Sequence, residues 1–87
     1  VTVNGSSTIT AVYNNTSNYI EVTLVGQSLA PSTHLVQVAP IRVNASSATL
    51  DRSISLYFTG GKVRVYVWDA SGGSAVANDC FITIYNL

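Results

Sequence analysis

Apolar and polar residues alternate with a period of two along most of the chain, and no segment carries the 3.6-residue period of a helix. Val1–Val3 predicts a short strand or lead-in, ended by Asn4-Gly5-Ser6-Ser7. Thr8–Asn14 alternates next, with Ile9, Ala11 and Tyr13 on one side, and Asn15-Thr16-Ser17-Asn18 supplies a turn. In Tyr19–Val25 the side chains of Ile20, Val22 and Leu24 face one way and those of Tyr19, Glu21 and Thr23 the other. Gly26–Thr33, with Gly, Ser and Pro31, reads as a loop. His34–Ala39 reads as a strand, and Pro40, which has no amide to give a ladder, marks an edge, a bulge or a bend. Ile41–Asn44 resumes the extended pattern and Ala45–Ala48 turns it. Phe81–Tyr85 closes the chain as a strand, with Cys80, Ile82 and Ile84 sharing one face and Phe81, Thr83 and Tyr85 the other.

Ser53–Trp68 is the most sharply specified stretch. Thr59-Gly60-Gly61-Lys62 has the two-residue glycine centre that tight hairpin turns require, because both central residues take positive φ. Folding there sets Phe58 against Val63, Leu56 against Val65 and Ile54 against Val67, so six apolar side chains fall on one face. A slip of one residue would scatter them over both faces. The whole pattern predicts one all-β domain over residues 1–87: a small antiparallel β-sandwich, or partly closed barrel, of seven to eight short strands.

The opposite face of the same hairpin carries the candidate chemistry. The register sets Tyr57 against Arg64, Ser55 against Tyr66 and Ser53 against Trp68, and Tyr66 and Trp68 are same-face neighbours on one strand. If the aliphatic face is the core, Tyr57, Arg64, Tyr66 and Trp68 form a ligand-binding surface suited to the C–H faces of sugars or to a protein hot spot. The competing expectation is that a second layer covers these rings, or that they only stabilise the strand pair.

Composition narrows the function further. At 87 residues the chain has room for one core, and 47% hydrophobic content against 9% charged residues answers the marginal burial available to so short a domain. Net charge is zero, which provides no cationic footprint for nucleic acid or for an anionic membrane. No apolar run approaches the length of a transmembrane helix. A chain that opens on Val1 is expected to be a processed mature protein or an excised fragment. Sequons at Asn4, Asn14, Asn15 and Asn44 are glycosylation candidates, with at most one of the overlapping Asn14 and Asn15 occupied. Cys80 is the single cysteine; its apolar strand predicts a buried, inert thiol. These features point to an extracellular, secreted glycoprotein.

Enzymatic readings find little support. A Ser-His-Asp arrangement would have to use His34, the only histidine, which stands at a strand start with no motif around it and reads as a loop-end or surface residue. Glu21, Asp51, Asp69 and Asp79 are the whole supply of carboxylates, and their spacing forms neither a glycosidase pair nor a metal site. No cofactor or metal is expected.

Two stretches resemble the β-sandwich part of the laminaripentaose-producing β-1,3-glucanases and related thaumatin-like proteins. Ile9-Thr10-Ala11-Val12-Tyr13-Asn14-Asn15, followed by Ser17 and a further strand, is similar to that family's opening strand and Asn-Asn turn, and Ser55–Val63 resembles its aromatic–Gly–Lys hairpin. Together with the strand that follows the first stretch, to Val25, they span about a third of the chain. The resemblance implies a sandwich and a cell-wall glucan context. The chain lacks that family's length, its acidic catalytic region and the disulfides of thaumatin-like proteins, so no catalytic residue is carried over.

Three functions compete. The first is a secreted, lectin-like carbohydrate-binding domain that recognises polysaccharide or cell-wall glycan, or else a protein partner, through the hairpin face. The second is a structural or assembly subunit of an extracellular filament, coat or wall layer, a homo-oligomer joined by apolar-face packing or by strand addition at Val1–Val3 or near Pro40. The third is a secreted effector or inhibitor acting through Gly26–Thr33 or Asp69–Asp79.

Overall fold

A computed structural model of the chain describes residues 3–4 (backbone), 9–41, 52–69 and 74–87. The fold is all-β: six strands of six to eight residues and one two-residue segment, with no helix among the described residues and hence none long and apolar enough to cross a membrane. In chain order these are β1 (Val3–Asn4), β2 (Ile9–Asn14), β3 (Tyr19–Leu24), β4 (His34–Pro40), β5 (Arg52–Thr59), β6 (Lys62–Asp69) and β7 (Cys80–Asn86).

They form two sheets, one ordered β2-β3-β6-β5 and the other β1-β7-β4. All ladders are antiparallel except β1 with β7. Among the described strands β2–β3 and β5–β6 are hairpins within one sheet, and the other consecutive strands belong to opposite sheets. No ladder among the described residues joins the sheets, so the barrel alternative is not met.

The alternation read from the sequence determines what lies between the sheets. Ile20 and Val22 of β3 and Val63, Val65 and Val67 of β6 meet Val36 of β4 and Cys80 and Ile82 of β7 in one core. Ile9, Ala11 and Tyr13 of β2 and Ile54, Leu56 and Phe58 of β5 pack around it. Burying one such aliphatic side chain is worth about 1.5–3 kcal/mol, which is why a one-residue slip of any of these strands is excluded.

The β5–β6 hairpin has the register expected: Phe58↔Val63, Leu56↔Val65 and Ile54↔Val67 on the inner face. Gly60 (φ 60°) and Gly61 (φ 76°) both take the left-handed conformation that this turn demands. Gly61 is doubly constrained, because a Cβ there would lie 2.9 Å from Ser28 Oγ. The Leu29 amide donates to Gly61 O (2.8 Å), and the Leu29 side chain, 2% exposed, enters the core. The segment from Gly26 to Thr33, expected as a plain loop, thus clasps the hairpin turn through one apolar residue.

Two local expectations are revised, and the edge position expected of Pro40 is met. Asn4, read as turn, belongs to β1, where it pairs with Phe81. Pro40 ends β4 opposite Cys80, on a strand whose other side has no ladder partner among the described residues, which is where a residue without an amide is tolerated. Ile41 lies beyond β4: its amide donates to Asp79 O (2.7 Å), and the buried Asn78 side chain donates to Ile41 O (3.1 Å) and Asp79 O (2.9 Å). The rest of the strand expected over Ile41–Asn44, the turn Ala45–Ala48, the sequon at Asn44 and the carboxylate of Asp51 lie outside the described residues.

Candidate functional site

The outer face of the four-stranded sheet is built by the same register that builds the core. Tyr57↔Arg64, Ser55↔Tyr66 and Ser53↔Trp68 pair across β5 and β6, so all four residues singled out in the sequence share this face. On the far side of β6, Glu21 of β3 pairs with Arg64, which brings Tyr19 onto the face beside them. Its alternation made Tyr19 an outward residue, yet only 9% of it is exposed, because its neighbours cover it.

The contacts run in an unbroken series across three strands. The Arg64 guanidinium lies over the Tyr57 ring at 5.8 Å and over the Tyr19 ring at 4.7 Å. Tyr19 meets Tyr66 at a centroid separation of 5.5 Å and a tilt of 41°. Tyr66 meets Trp68 at 5.8 Å with ring planes only 18° apart. The result is one ridge, Tyr57–Arg64–Tyr19–Tyr66–Trp68, in which a cation is held between two aromatic faces. Tyr57 is 55% exposed, while Arg64, Tyr66 and Trp68 are half-buried.

Polar contacts fix the ridge. Trp68 Nε1 donates to Ser55 Oγ (2.6 Å), across the diagonal of the strand pair. Asn14 Nδ2 donates to the Tyr19 hydroxyl (3.2 Å) from the end of β2. A hydrogen bond to the Tyr66 hydroxyl, foremost, holds Arg64 above its ordinary pKa against the opposing effect of desolvation; Tyr19, Tyr66 and the Glu21 charge add to it through space. Glu21 itself accepts from Lys62 Nζ at 3.2 Å. The backbone next to Trp68 is held by Ala75, its bridge partner, with the Val76 amide donating to Val67 O (2.8 Å).

The other sequence candidates lie elsewhere. His34 is not a surface residue: it is 6% exposed, with Nδ1 2.8 Å from Thr33 Oγ1 and Nε2 3.1 Å from Gln27 Oε1. Both ring nitrogens are engaged in pinning the loop to the start of β4. Cys80 is buried, as expected, with its thiol 3.6 Å from Asn78 O. Burial, and secondarily the Asp79 charge, push that thiol's pKa up, which favours the inert protonated form. Among the described residues no group of three or more His, Cys, Asp or Glu side chains converges to hold a metal.

The sequons differ in what they offer. Asn4 lies in β1. Asn14 is half-buried, and its Oδ1 accepts from the Thr16 and Ser17 amides at 3.0 Å each while its Nδ2 serves Tyr19. Asn15 is exposed in the β2–β3 turn. No protein-family model matches the chain, and no curated protein or solved structure matches it significantly.

Proposed function

We propose that the chain is a secreted, non-catalytic domain that recognises polysaccharide or cell-wall glycan through the ridge on its four-stranded sheet, within a sandwich of seven to eight short strands. One observation carries the reading: five aromatic and guanidinium groups from three strands are in continuous contact on an outer face, with Tyr57 exposed and Tyr66 and Trp68 presenting nearly parallel rings. Aromatic rings offer apolar area at small entropic cost, and the surrounding Ser53, Thr59 and Lys62 supply polar groups to hydroxyls at the rim. Pre-packing by Tyr19 and the Trp68–Ser55 hydrogen bond removes much of the ordering cost of binding. The resemblance of the β2 region and the hairpin to laminaripentaose-producing β-1,3-glucanases makes β-1,3-glucan the first ligand to try.

The test is retention on insoluble β-1,3-glucan, chitin and cellulose, with folding checked by circular dichroism. The domain is expected to bind at least the β-1,3-glucan, and Trp68→Ala and Tyr57→Ala each to weaken retention about tenfold, the effect of losing about 1.4 kcal/mol. Equal retention of both variants and the parent chain would remove the ridge as the binding surface.

A further inference from the structure

The charges on the outer face of the four-stranded sheet do not balance. Its outward positions carry two cations, Lys62 and Arg64, and one anion, Glu21. Glu21 stands opposite Arg64 in the ladder, yet its carboxylate accepts from Lys62 Nζ at 3.2 Å and acts on Arg64 only through space. Asp69 stands opposite Arg52 at the end of the strand pair, and Asp79 precedes β7 in the other sheet. No ion pair joins Arg64 to a carboxylate of the described residues. Arg64 is held instead by the rings of Tyr19 at 4.7 Å and Tyr57 at 5.8 Å and by the Tyr66 hydroxyl. Cation–π contacts attract the charge but occupy none of the guanidinium N–H donors. Nε is buried without an acceptor, so the donor that serves Tyr66 belongs to a terminal nitrogen. The other terminal N–H groups have no acceptor among the described residues.

We propose that the Arg64 guanidinium anchors the carboxylate of a uronic-acid residue, so that the ridge takes an acidic glycan; the proposal rests on the reading of the ridge as a glycan-binding face. A guanidinium is a planar fork of donors that fits the two oxygens of a carboxylate, and a charge-assisted pair of such bonds is about twice as strong as its neutral counterpart. Contact with two rings and a hydroxyl orders the Arg64 side chain before a ligand arrives, which lowers the cost of fixing it on binding. Tyr57 is the exposed ring beside it. A uronate that rests its C–H face on Tyr57 brings its carboxylate alongside the terminal nitrogens. A neutral glucan engages the rings alone and leaves the excess positive charge unanswered, so it binds the same face more weakly.

The experiment titrates the whole chain with polygalacturonate, alginate and hyaluronate, each beside its carboxyl-reduced neutral form, by calorimetry at about 0.15 M salt. At least one acid is expected to bind about tenfold or more tightly than its reduced form. Arg64→Lys keeps the charge and loses the fork, and is expected to lower that preference for the acid about tenfold. Trp68→Ala is expected to weaken both forms and leave the preference in place. Circular dichroism checks the fold of each variant, and the comparison of acid with reduced glycan needs no variant at all. Binding that is no tighter for any acid than for its reduced form would overturn the carboxylate anchor. So would a preference that survives Arg64→Lys, since attraction between diffuse charges would then suffice, or binding of dextran sulfate in preference to every uronate. In each of those cases retention on β-1,3-glucan would leave the ridge standing as a face for neutral glycan, whereas failure on every acidic and neutral polysaccharide would remove both readings.

Discussion

The guanidinium of Arg64 lies 4.7 Å above the ring of Tyr19 and is the only cation in contact with that ring among the described residues. Tyr19 thereby becomes the floor of the outer ridge: it faces away from the core but is covered almost as completely as a core residue. Its packing belongs to the surface, so damage there is expected to reach ligand recognition and stability together.

Replacing Tyr19 separates those contributions. Tyr19→Ala removes a covered ring from beneath Arg64 and Tyr66 and is expected to cost about 2–4 kcal/mol. Tyr19→Phe loses only the hydrogen bond accepted from Asn14 and is expected to cost about 1 kcal/mol. Urea unfolding followed by circular dichroism measures both, and a Tyr19→Ala loss below that of Tyr19→Phe would contradict the burial.

The two turn glycines are not equivalent. A side chain at Gly60 meets nothing within 4 Å, whereas one at Gly61 runs into Ser28. Both substitutions by Ala carry the cost of positive φ, about 1–3 kcal/mol, and Gly61→Ala is expected to be the worse by a further ~1 kcal/mol or more. Gly60→Asn, which tolerates this conformation, is expected to be close to neutral. Thermal unfolding of the three variants gives the order, and equal midpoints for the two alanine variants would show that Ser28 yields without cost.

Alkaline pH is expected to weaken the fold through Cys80. Burial raises the thiol's pKa above its ordinary value of 9.0, so in the folded state it keeps its proton where the unfolded chain releases it. The folded form then binds more protons, and its contribution is complete below pH 9 and declines as pH rises through and beyond that value. Cys80→Ala should flatten this part of the profile, whatever it costs at neutral pH. Denaturant titrations at several pH values test it, and parallel profiles for the two chains would argue against the thiol as the cause.

Glycosylation, where it occurs in the β2–β3 turn, is expected at Asn15. Attachment uses the side-chain amide nitrogen, and that of Asn14 is committed to Tyr19 while its oxygen caps two backbone amides. Expression in a glycosylating host followed by peptide mapping is expected to place the glycan on Asn15. A glycan found on Asn14 would show that the Tyr19 bracket opens.

The hairpin face was readable because its information is local. Two glycines fix a tight turn, the turn fixes the register, and the register aligns Tyr57, Arg64, Tyr66 and Trp68 without reference to anything outside Ser53–Trp68. Tyr19 was not readable as their neighbour, because the Glu21↔Arg64 pairing joins strands distant in the chain and no turn dictates which strand lies beside β6. Leu29 and His34 escaped for a related reason. Leu29 stands in a loop without period and His34 at the strand start that follows it, and only the three-dimensional packing reveals that one fills the core and the other braces the loop.

Tyr19 arrives on the β2–β3 hairpin and the other four ridge groups on the β5–β6 hairpin, with a passage through the second sheet between them. The surface is therefore complete only where β3 and β6 are paired. Without the β3–β6 pairing the rings fall into two separate groups, Tyr19 on one hairpin and Tyr57, Arg64, Tyr66 and Trp68 on the other. If the ridge binds glycan as proposed, the ligand stabilises only the paired hairpins, and by mass action it should raise the melting temperature roughly with the logarithm of its concentration above the Kd.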